Sequence, residues 1–244
     1  MEARGKVAIL CGGRGTRLRE RTESIPKALV EIGGRPIVWH VISIYAAQGF
    51  RKFLLLTGYK GEQIEGWVRE TPWPAGVDVR CLDTGIDTPT GGRIKLAEAE
   101  LGARPFCATY ADGVADVDLD ALLECHRESG AAATVTAVRP ALQFGVLDLS
   151  ADGRVRGFHE KPVMTRWVNG GFFCFEPEAL GYLSTDSVLE REPLERLAAD
   201  GKLNAYRHEG FWDCMDTYKD AVLLNDLWGS GDPPWRVWAG EPIA

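Results

Sequence analysis

The chain has no apolar run approaching 18 residues, so no membrane-spanning helix is expected. It shows no secretory signal: Met1 to Lys6 is polar and leads straight into an apolar strand. The six cysteines (Cys11, Cys81, Cys107, Cys125, Cys174 and Cys214) form no C-x-x-C pair, and several sit in apolar runs. That pattern predicts free, mostly buried thiols in a reducing compartment, hence a cytoplasmic protein. There is no excess of positive charge. With a net charge of −7, a general nucleic-acid or anionic-membrane binder is excluded, because both need broad positive surface. Histidine is scarce, and His40, His126, His159 and His208 lie outside the charged motifs, His159 beside Glu160 excepted. Internal repeats, low-complexity tracts and an obvious linker are all missing, so the 244 residues read as one domain, with 1–140 as its first part and 141–244 as a second part that ends in a helical segment.

The most informative stretch is residues 8–33, AILCGGRGTRLRERTESIPKALVEIG. An apolar strand enters a glycine-rich loop that holds Arg14 and Arg17. Ten residues past Arg17 come Pro26 and Lys27, and then a second apolar run. Glycine lets backbone N–H groups approach a ligand, and arginine and lysine match phosphate in charge and geometry. Residues 14–27 hold five basic groups against two acidic ones, which suits a small anionic ligand on an acidic protein. The P-loop pattern G-x-x-x-x-G-K-[ST] is absent. The dinucleotide pattern G-x-G-x-x-G fails as well, because Leu18 stands where its third glycine belongs. A structural turn with exposed arginines is the competing reading.

Strand-like and helix-like segments alternate: strands at 6–11, 52–58, 76–83, 105–113 and 131–138, helices at 36–49, 91–102 and 118–130. This rhythm predicts an α/β fold, a Rossmann-like, mostly parallel mixed sheet flanked by helices. The second half adds a hairpin over 144–162 around Asp152-Gly153, the core of a small β-rich lobe. A strand at 170–177, helices at 177–184 and 192–200, a strand at 202–208 and a helix at 217–229 follow. Ligands in open α/β sheets bind outside the carboxyl ends of the strands, where the loops after 6–11 and 105–110 should open.

Four further features carry chemistry. In TYADGVADVD (109–118), Asp112, Asp116 and Asp118 cluster past a strand; Asp118 and Asp116 suit a helix N-terminus, whereas Asp112 lies too early and suits Mg²⁺. In HEKP (159–162), Lys161 beside a proline can hold charge in place, or can be solvated surface. In WVNGGFF (167–173), Asn169 can bond sugar hydroxyls or make an ordinary Asn-Gly turn. In FWDCMDTYKD (211–220), Asp216 reads equally well as a helix N-cap or a metal ligand.

Taken in order, GG-x-G-T-R-L, P-K, the acidic loop, E-K-P, N-G-G-F and M-D-T resemble the sugar-1-phosphate nucleotidylyltransferases. VEIGGRPIVWH (30–40), GYKG (58–61), TGGR (90–93), YADGVADVD (110–118), NGGFF (169–173), GFWDCMDT (210–217) and PPW (233–235) resemble the glucose-1-phosphate cytidylyltransferase subgroup over nearly the whole chain. The resemblance implies transfer of a nucleotidyl group, CMP from CTP favoured, to a sugar 1-phosphate, glucose 1-phosphate favoured. It implies that Gly12, Gly13, Gly15 and Thr16 wrap the nucleotide, that Arg17 and Lys27 bind phosphate, and that Asp112 and Asp216 hold Mg²⁺. It also implies that Glu160 and Lys161 hold sugar hydroxyl and sugar phosphate, that Gly145, Asn169 and Gly170 contact the sugar, and that Thr90, Gly91 and Arg93 read the base. Two departures stand out: residues 62–82 are shorter than in the subgroup, and Tyr-Ala-Asp replaces Tyr-Gly-Asp. Other bases or sugars, a Rossmann-type oxidoreductase and a non-catalytic regulatory homologue are the competing readings. A homo-oligomer is expected from the family; Trp228, Trp235 and Trp238 could serve an interface or pack back on the core.

Overall fold

Val7 to Leu10 is apolar without interruption, and a strand of that kind needs both its faces covered. In the computed structural model, which describes residues 4–15, 18 and 24–238, both faces are covered by helices. In chain order the elements are β1 (Val7–Leu10), a 3₁₀ turn (Lys27–Leu29), β2 (Glu31–Ile32), β3 (Arg35–Pro36), α1 (Ile37–Ala47), β4 (Lys52–Thr57), α2 (Gly61–Glu70) and β5 (Asp78–Asp83). Next come α3 (Thr90–Leu96), α4 (Glu98–Leu101), β6 (Phe106–Tyr110), β7 (Gly113–Ala115), α5 (Leu119–Ser129), β8 (Ala133–Val138), β9 (Val146–Leu149) and β10 (Val155–His159). Strands β11 (Val168–Asn169) and β12 (Phe173–Phe175), a second 3₁₀ turn (Pro177–Tyr182), α6 (Glu192–Ala199), β13 (Leu203–Arg207), β14 (Trp212–Cys214) and α7 (Tyr218–Gly229) complete the path.

The central sheet runs β13, β8, β12, β6, β1, β4, β5, with β11 pairing the far end of β8. Strands β6, β1, β4 and β5 are mutually parallel, and β12 is antiparallel to both β6 and β8. The sheet is mixed and mostly parallel, as the alternating sequence predicts. Side chains alternate across it: Val7 and Ile9 face α1, α2, α5 and α7, while Ala8 and Leu10 face α3, α4 and α6. Helix α1 is buried from Ile37 to Ala46, so it is a core helix rather than an amphipathic cover.

Three features that place the site are not written in simple periodicity. First, the helix expected at 91–102 divides at Ala97, whose N–H is shared between Arg93 O and Ile94 O at 3.1 Å each. The tighter turn keeps Ile94, Ala97 and Leu101 all buried. Second, the strand expected at 170–177 starts only at Phe173, because Gly171 and Phe172 take φ of 75° and 47°. That costs a non-glycine residue energy, and burial of Phe172 against Tyr45 (ring centroids 5.7 Å apart) holds it there. Third, β7 and β14 pair antiparallel, with Cys214 opposite Gly113. Hairpin β9–β10 stands apart from the central sheet as its own two-stranded ribbon. Trp235 is fully buried and Trp238 nearly so, and Trp228, partly buried, packs against the same core.

Candidate active site

Strand order reverses between β1 and β6. From β1 the chain moves outward to β4 and β5, then returns to lay β6 on the other side of β1. The loops leaving β1 and β6 diverge there, and a crevice opens between them. It is a cavity of about 550 Å³, lined by Cys11 to Gly15, Lys27, 86–90, Arg93, Tyr110, Asp112 and Asp216.

Lys27 is the centre of its charge. Pro26 is held extended (φ −67°, ψ 148°) before the 3₁₀ turn, and Ala28 is buried, which anchors the lysine at the crevice floor. Its Nζ donates to Asp112 Oδ2 and, at 2.7 Å, to Asp216 Oδ1. Burial opposes the lysine's charge, but Asp112 and Asp216 outweigh it and hold its pKa above the usual value.

The two carboxylates meet because of the short β7–β14 ladder. Met215 N–H donates to Asp112 O at 2.9 Å, which fixes the two loops side by side. Asp216 is not the cap of α7. Thr217 is, in a reciprocal box in which its hydroxyl accepts from Asp220 N–H and the Asp220 carboxylate accepts from Thr217 N–H. Likewise Asp118 caps α5 by accepting from Ala121 N–H at 2.9 Å, and Asp116 pairs with His208 at 3.0 Å. Of the acidic loop, Asp112 is therefore the carboxylate that faces the crevice. Two carboxylates against one ammonium leave a negative balance, and hard oxygen donors converging on one cation are the donor set of a Mg²⁺-type ion. Among the described residues no cluster of three or more His, Cys, Asp or Glu gathers as a metal site.

The glycine-rich loop approaches Arg93 so closely that a Cβ on Gly12 would lie 2.0 Å from Arg93 Cζ. Arg93 is buried, and its guanidinium donates to Thr57 O (2.7 Å), Thr84 Oγ1 (2.6 Å), Gly85 O (2.8 Å), Gly12 O (3.0 Å) and Ile86 O (3.3 Å). Arg93, implied by the resemblance to read the base, spends these donors on holding the crevice walls together. Arg14 spans the mouth to Asp87 at 2.9 Å. Both are more than half exposed, and such a pair is worth about 0–1 kcal/mol, so a phosphate can compete for Arg14. Cys11 and Cys214 flank the floor; burial pushes both thiols up, Cys214 to about 12 with Asp112 and Asp216 adding to the effect, which keeps them un-ionised.

The structure thus brings Gly12, Gly13, Gly15, Lys27, Thr90, Arg93, Asp112 and Asp216 onto one cavity. Gly91 packs beneath it, with a Cβ there 2.9 Å from Ser187 O. Asn169 is tied to the cavity wall through its Nδ2, which donates to Tyr110 Oη at 3.2 Å, and Gly170 O accepts from Trp212 Nε1 at 2.8 Å. Gly145, Glu160 and Lys161 lie off the cavity, around the hairpin; Lys161 Nζ is 3.7 Å from Glu160 Oε1, and a Cβ on Gly145 would meet Phe158 at 2.6 Å. Thr16 and Arg17 lie outside the described residues. Sequence reasoning passed over Tyr110 and Glu190. Tyr110 falls at the end of an expected strand, and Glu190 sits in the charged run LEREPLER (189–196), just before the helix expected at 192–200.

The sequence profile of the nucleotidyl transferases matches residues 6–213. A probable glucose-1-phosphate cytidylyltransferase of Bacillus subtilis (strain 168) is 42% identical, the alignment covering 96% of this chain and all of the relative. The glucose-1-phosphate cytidylyltransferase of Salmonella typhi is 40% identical over 96% of this chain and 99% of its own. In fold, the crystal structure of HddC from Yersinia pseudotuberculosis superposes with a TM-score of 0.71 at 23% identity, covering 92% of this chain and 99% of that one.

Proposed function

The chain belongs to the nucleotidyl transferase family, and from that premise we propose that it transfers CMP from CTP to glucose 1-phosphate in the cytoplasm, releasing pyrophosphate and forming CDP-glucose. The observation that carries this reading is the Lys27–Asp112–Asp216 cluster on the floor of a crevice lined by a glycine-rich loop. The choice of cytosine and glucose rests on the two cytidylyltransferase relatives, which the chain matches nearly end to end. We take residues 1–244 as one catalytic domain that acts as a homo-oligomer.

A phosphate monoester has a second pKa of about 6, so the attacking oxygen of the sugar phosphate is already ionised at neutral pH. No general base is required, and the barrier is repulsion between two anions. Asp112 and Asp216 would hold Mg²⁺, which when bound would supply positive charge that offsets the repulsion between the two anionic substrates. Lys27 contributes a charge kept permanent by its two carboxylates, aimed at the α-phosphate and the departing pyrophosphate. Gly12, Gly13 and Gly15 offer backbone N–H groups to the triphosphate, and Thr16 and Arg17, which follow in sequence, are assigned to the same phosphates. Thr90 lines the base slot, Gly91 packs beneath it, and Arg93 maintains its shape. Gly145, Glu160, Lys161, Asn169 and Gly170 receive the sugar phosphate, Lys161 by charge and Asn169 by hydrogen bonds. The test is a panel of CTP, UTP, dTTP, GTP and ATP with glucose 1-phosphate and Mg²⁺, read by pyrophosphate release. CTP should exceed each other triphosphate by at least about tenfold in kcat/KM; equal use of all five would refute the base assignment.

A further inference from the structure

The segment 183–191, between the second 3₁₀ turn and α6, has no part in the reading above, yet it is fitted tightly to α3. A Cβ on Gly92 would lie 2.0 Å from Thr185 O, and Gly92 N–H donates to Ser187 O at 3.0 Å. This close fit explains the paired glycines of T-G-G-R, since any side chain at Gly92 would push the segment away. The segment delivers one carboxylate, Glu190, to the edge of the crevice.

Both oxygens of Glu190 are engaged. Oε2 accepts from the Thr90 hydroxyl at 2.7 Å, and Oε1 accepts from the Tyr110 phenol at 2.5 Å. Donor directions are fixed at each end. Thr90 Oγ1 accepts from Leu189 N–H at 2.9 Å, so its one proton is left for the carboxylate. Burial and the neighbouring Glu190 push the Tyr110 pKa up, so Tyr110 remains a phenol, donating to Glu190 and accepting from Asn169 Nδ2. Asn169 Oδ1 in turn accepts from Gly171 N–H at 2.8 Å, which orients the amide. One carboxylate therefore organises side chains from three elements: Thr90 at the start of α3, Tyr110 at the end of β6 and Asn169 in β11. Thr90 and Tyr110 line the crevice. A negative charge at the edge of a cleft for two anions opposes binding, unless it is spent on hydroxyl donors and organises the walls.

We propose that Glu190 is a positioning residue that sets the spacing between the nucleotide wall, through Thr90, and the sugar turn, through Tyr110 and Asn169. The inference rests on the nucleotidyl-transfer reading and deepens it. The two arms are separable. Tyr110→Phe removes one oxygen and breaks the sugar arm alone; Thr90→Val breaks the nucleotide arm alone; Glu190→Gln turns one acceptor into an NH₂ donor and removes the charge that strengthens the other bond, so it disturbs both.

Steady-state kinetics with each substrate varied in turn test this, with circular dichroism and Tm confirming folding. One hydrogen bond to a charged group is worth about tenfold or more in affinity. Tyr110→Phe should raise KM for glucose 1-phosphate about tenfold and leave KM for CTP within about twofold. Thr90→Val should do the reverse. Glu190→Gln should raise both, and adding Tyr110→Phe to it should raise the sugar KM no further, because both changes cut one path. A Glu190→Gln enzyme that lowers Tm while both KM values stay put, or a double variant whose effects multiply, would overturn the inference and leave Glu190 a fastener of its own loop. Should Glu190→Gln fail to fold, Tyr110→Phe and Thr90→Val decide it alone: a split of KM values sustains it, parallel changes overturn it. Absence of turnover by the wild type would overturn the parent reading and this one with it, whereas an active wild type with unresponsive variants would overturn this one only.

Discussion

Lys27 is the residue on which the account turns, because its ammonium is the meeting point of carboxylates 104 positions apart in sequence. Lys27→Ala and Asp112→Ala should each lower kcat by at least about 10²-fold, the usual worth of a preorganised electrostatic group, with the circular dichroism spectrum unchanged. Near-normal turnover of either purified variant would remove that residue from the reaction. Chelation with EDTA should abolish turnover and Mg²⁺ should restore it, as two carboxylates on one cation imply. Arg93 makes a different kind of prediction. Its fork holds the carbonyls of Gly12, Thr57, Gly85 and Ile86, and Lys, a point charge, cannot span them. Arg93→Lys should cost about 3 kcal/mol, a fall of roughly 6–12 °C in Tm for a chain of this size. The sequence exposed Lys27 and Asp112 through their setting, one after a proline, the other too early to cap a helix. It did not expose what Arg93 does, since an arginine after two glycines reads as a ligand-binding group until the carbonyls around it are placed.

At the level of elements, the alternation of strand and helix was legible because apolar runs and glycine or capping residues mark each boundary. The β7–β14 ladder was not: two three-residue strands nearly 100 positions apart leave no periodic trace, and their pairing alone juxtaposes Asp112 with Asp216. Of the two readings of Asp216, the cap is removed by its neighbour, because the Thr217–Asp220 box satisfies the start of α7. Thr217→Ala should cost about 1 kcal/mol in denaturant unfolding and lower kcat as well, since α7 then no longer fixes the loop that carries Asp216. Helix α1 carries a pH-sensitive contact. His40 is fully buried, with Nε2 2.9 Å from Ile32 O and Nδ1 accepting from Trp235 Nε1 at 3.3 Å. Burial lowers its pKa to about 4. The unfolded chain takes up the proton first, so this stability is complete above pH 6.5 and is lost as pH falls toward 4, by about 3 kcal/mol in all. Wild type should therefore lose more Tm than His40→Gln between pH 7 and pH 5, where carboxylates still remain largely ionised; equal losses would mean that another group governs the slope.

For the whole molecule, one sheet carries the walls that we assign to the two substrates. Strands β1 and β6 supply the loops of the nucleotide crevice, while β11 and β12, beyond residue 140, bring the sugar turn against the same sheet. The net charge of −7 disfavours polyanions, and the crevice sets Arg14, Lys27 and Arg93 against Asp87, Asp112 and Asp216, a balance that a bound cation would tip toward small anions. Phosphoryl chemistry was legible because it needs few residue types in a fixed order. The link between the two walls was hidden, because Glu190 joins them only through a folded loop. The central claim is that this crevice passes CMP from CTP to glucose 1-phosphate, and its most direct measurement is product analysis by mass spectrometry of a reaction holding CTP, glucose 1-phosphate and Mg²⁺. The account predicts stoichiometric CDP-glucose and pyrophosphate with wild type and at most about one hundredth of that rate with Lys27→Ala; unreacted CTP, or hydrolysis to CMP without CDP-glucose, would contradict it.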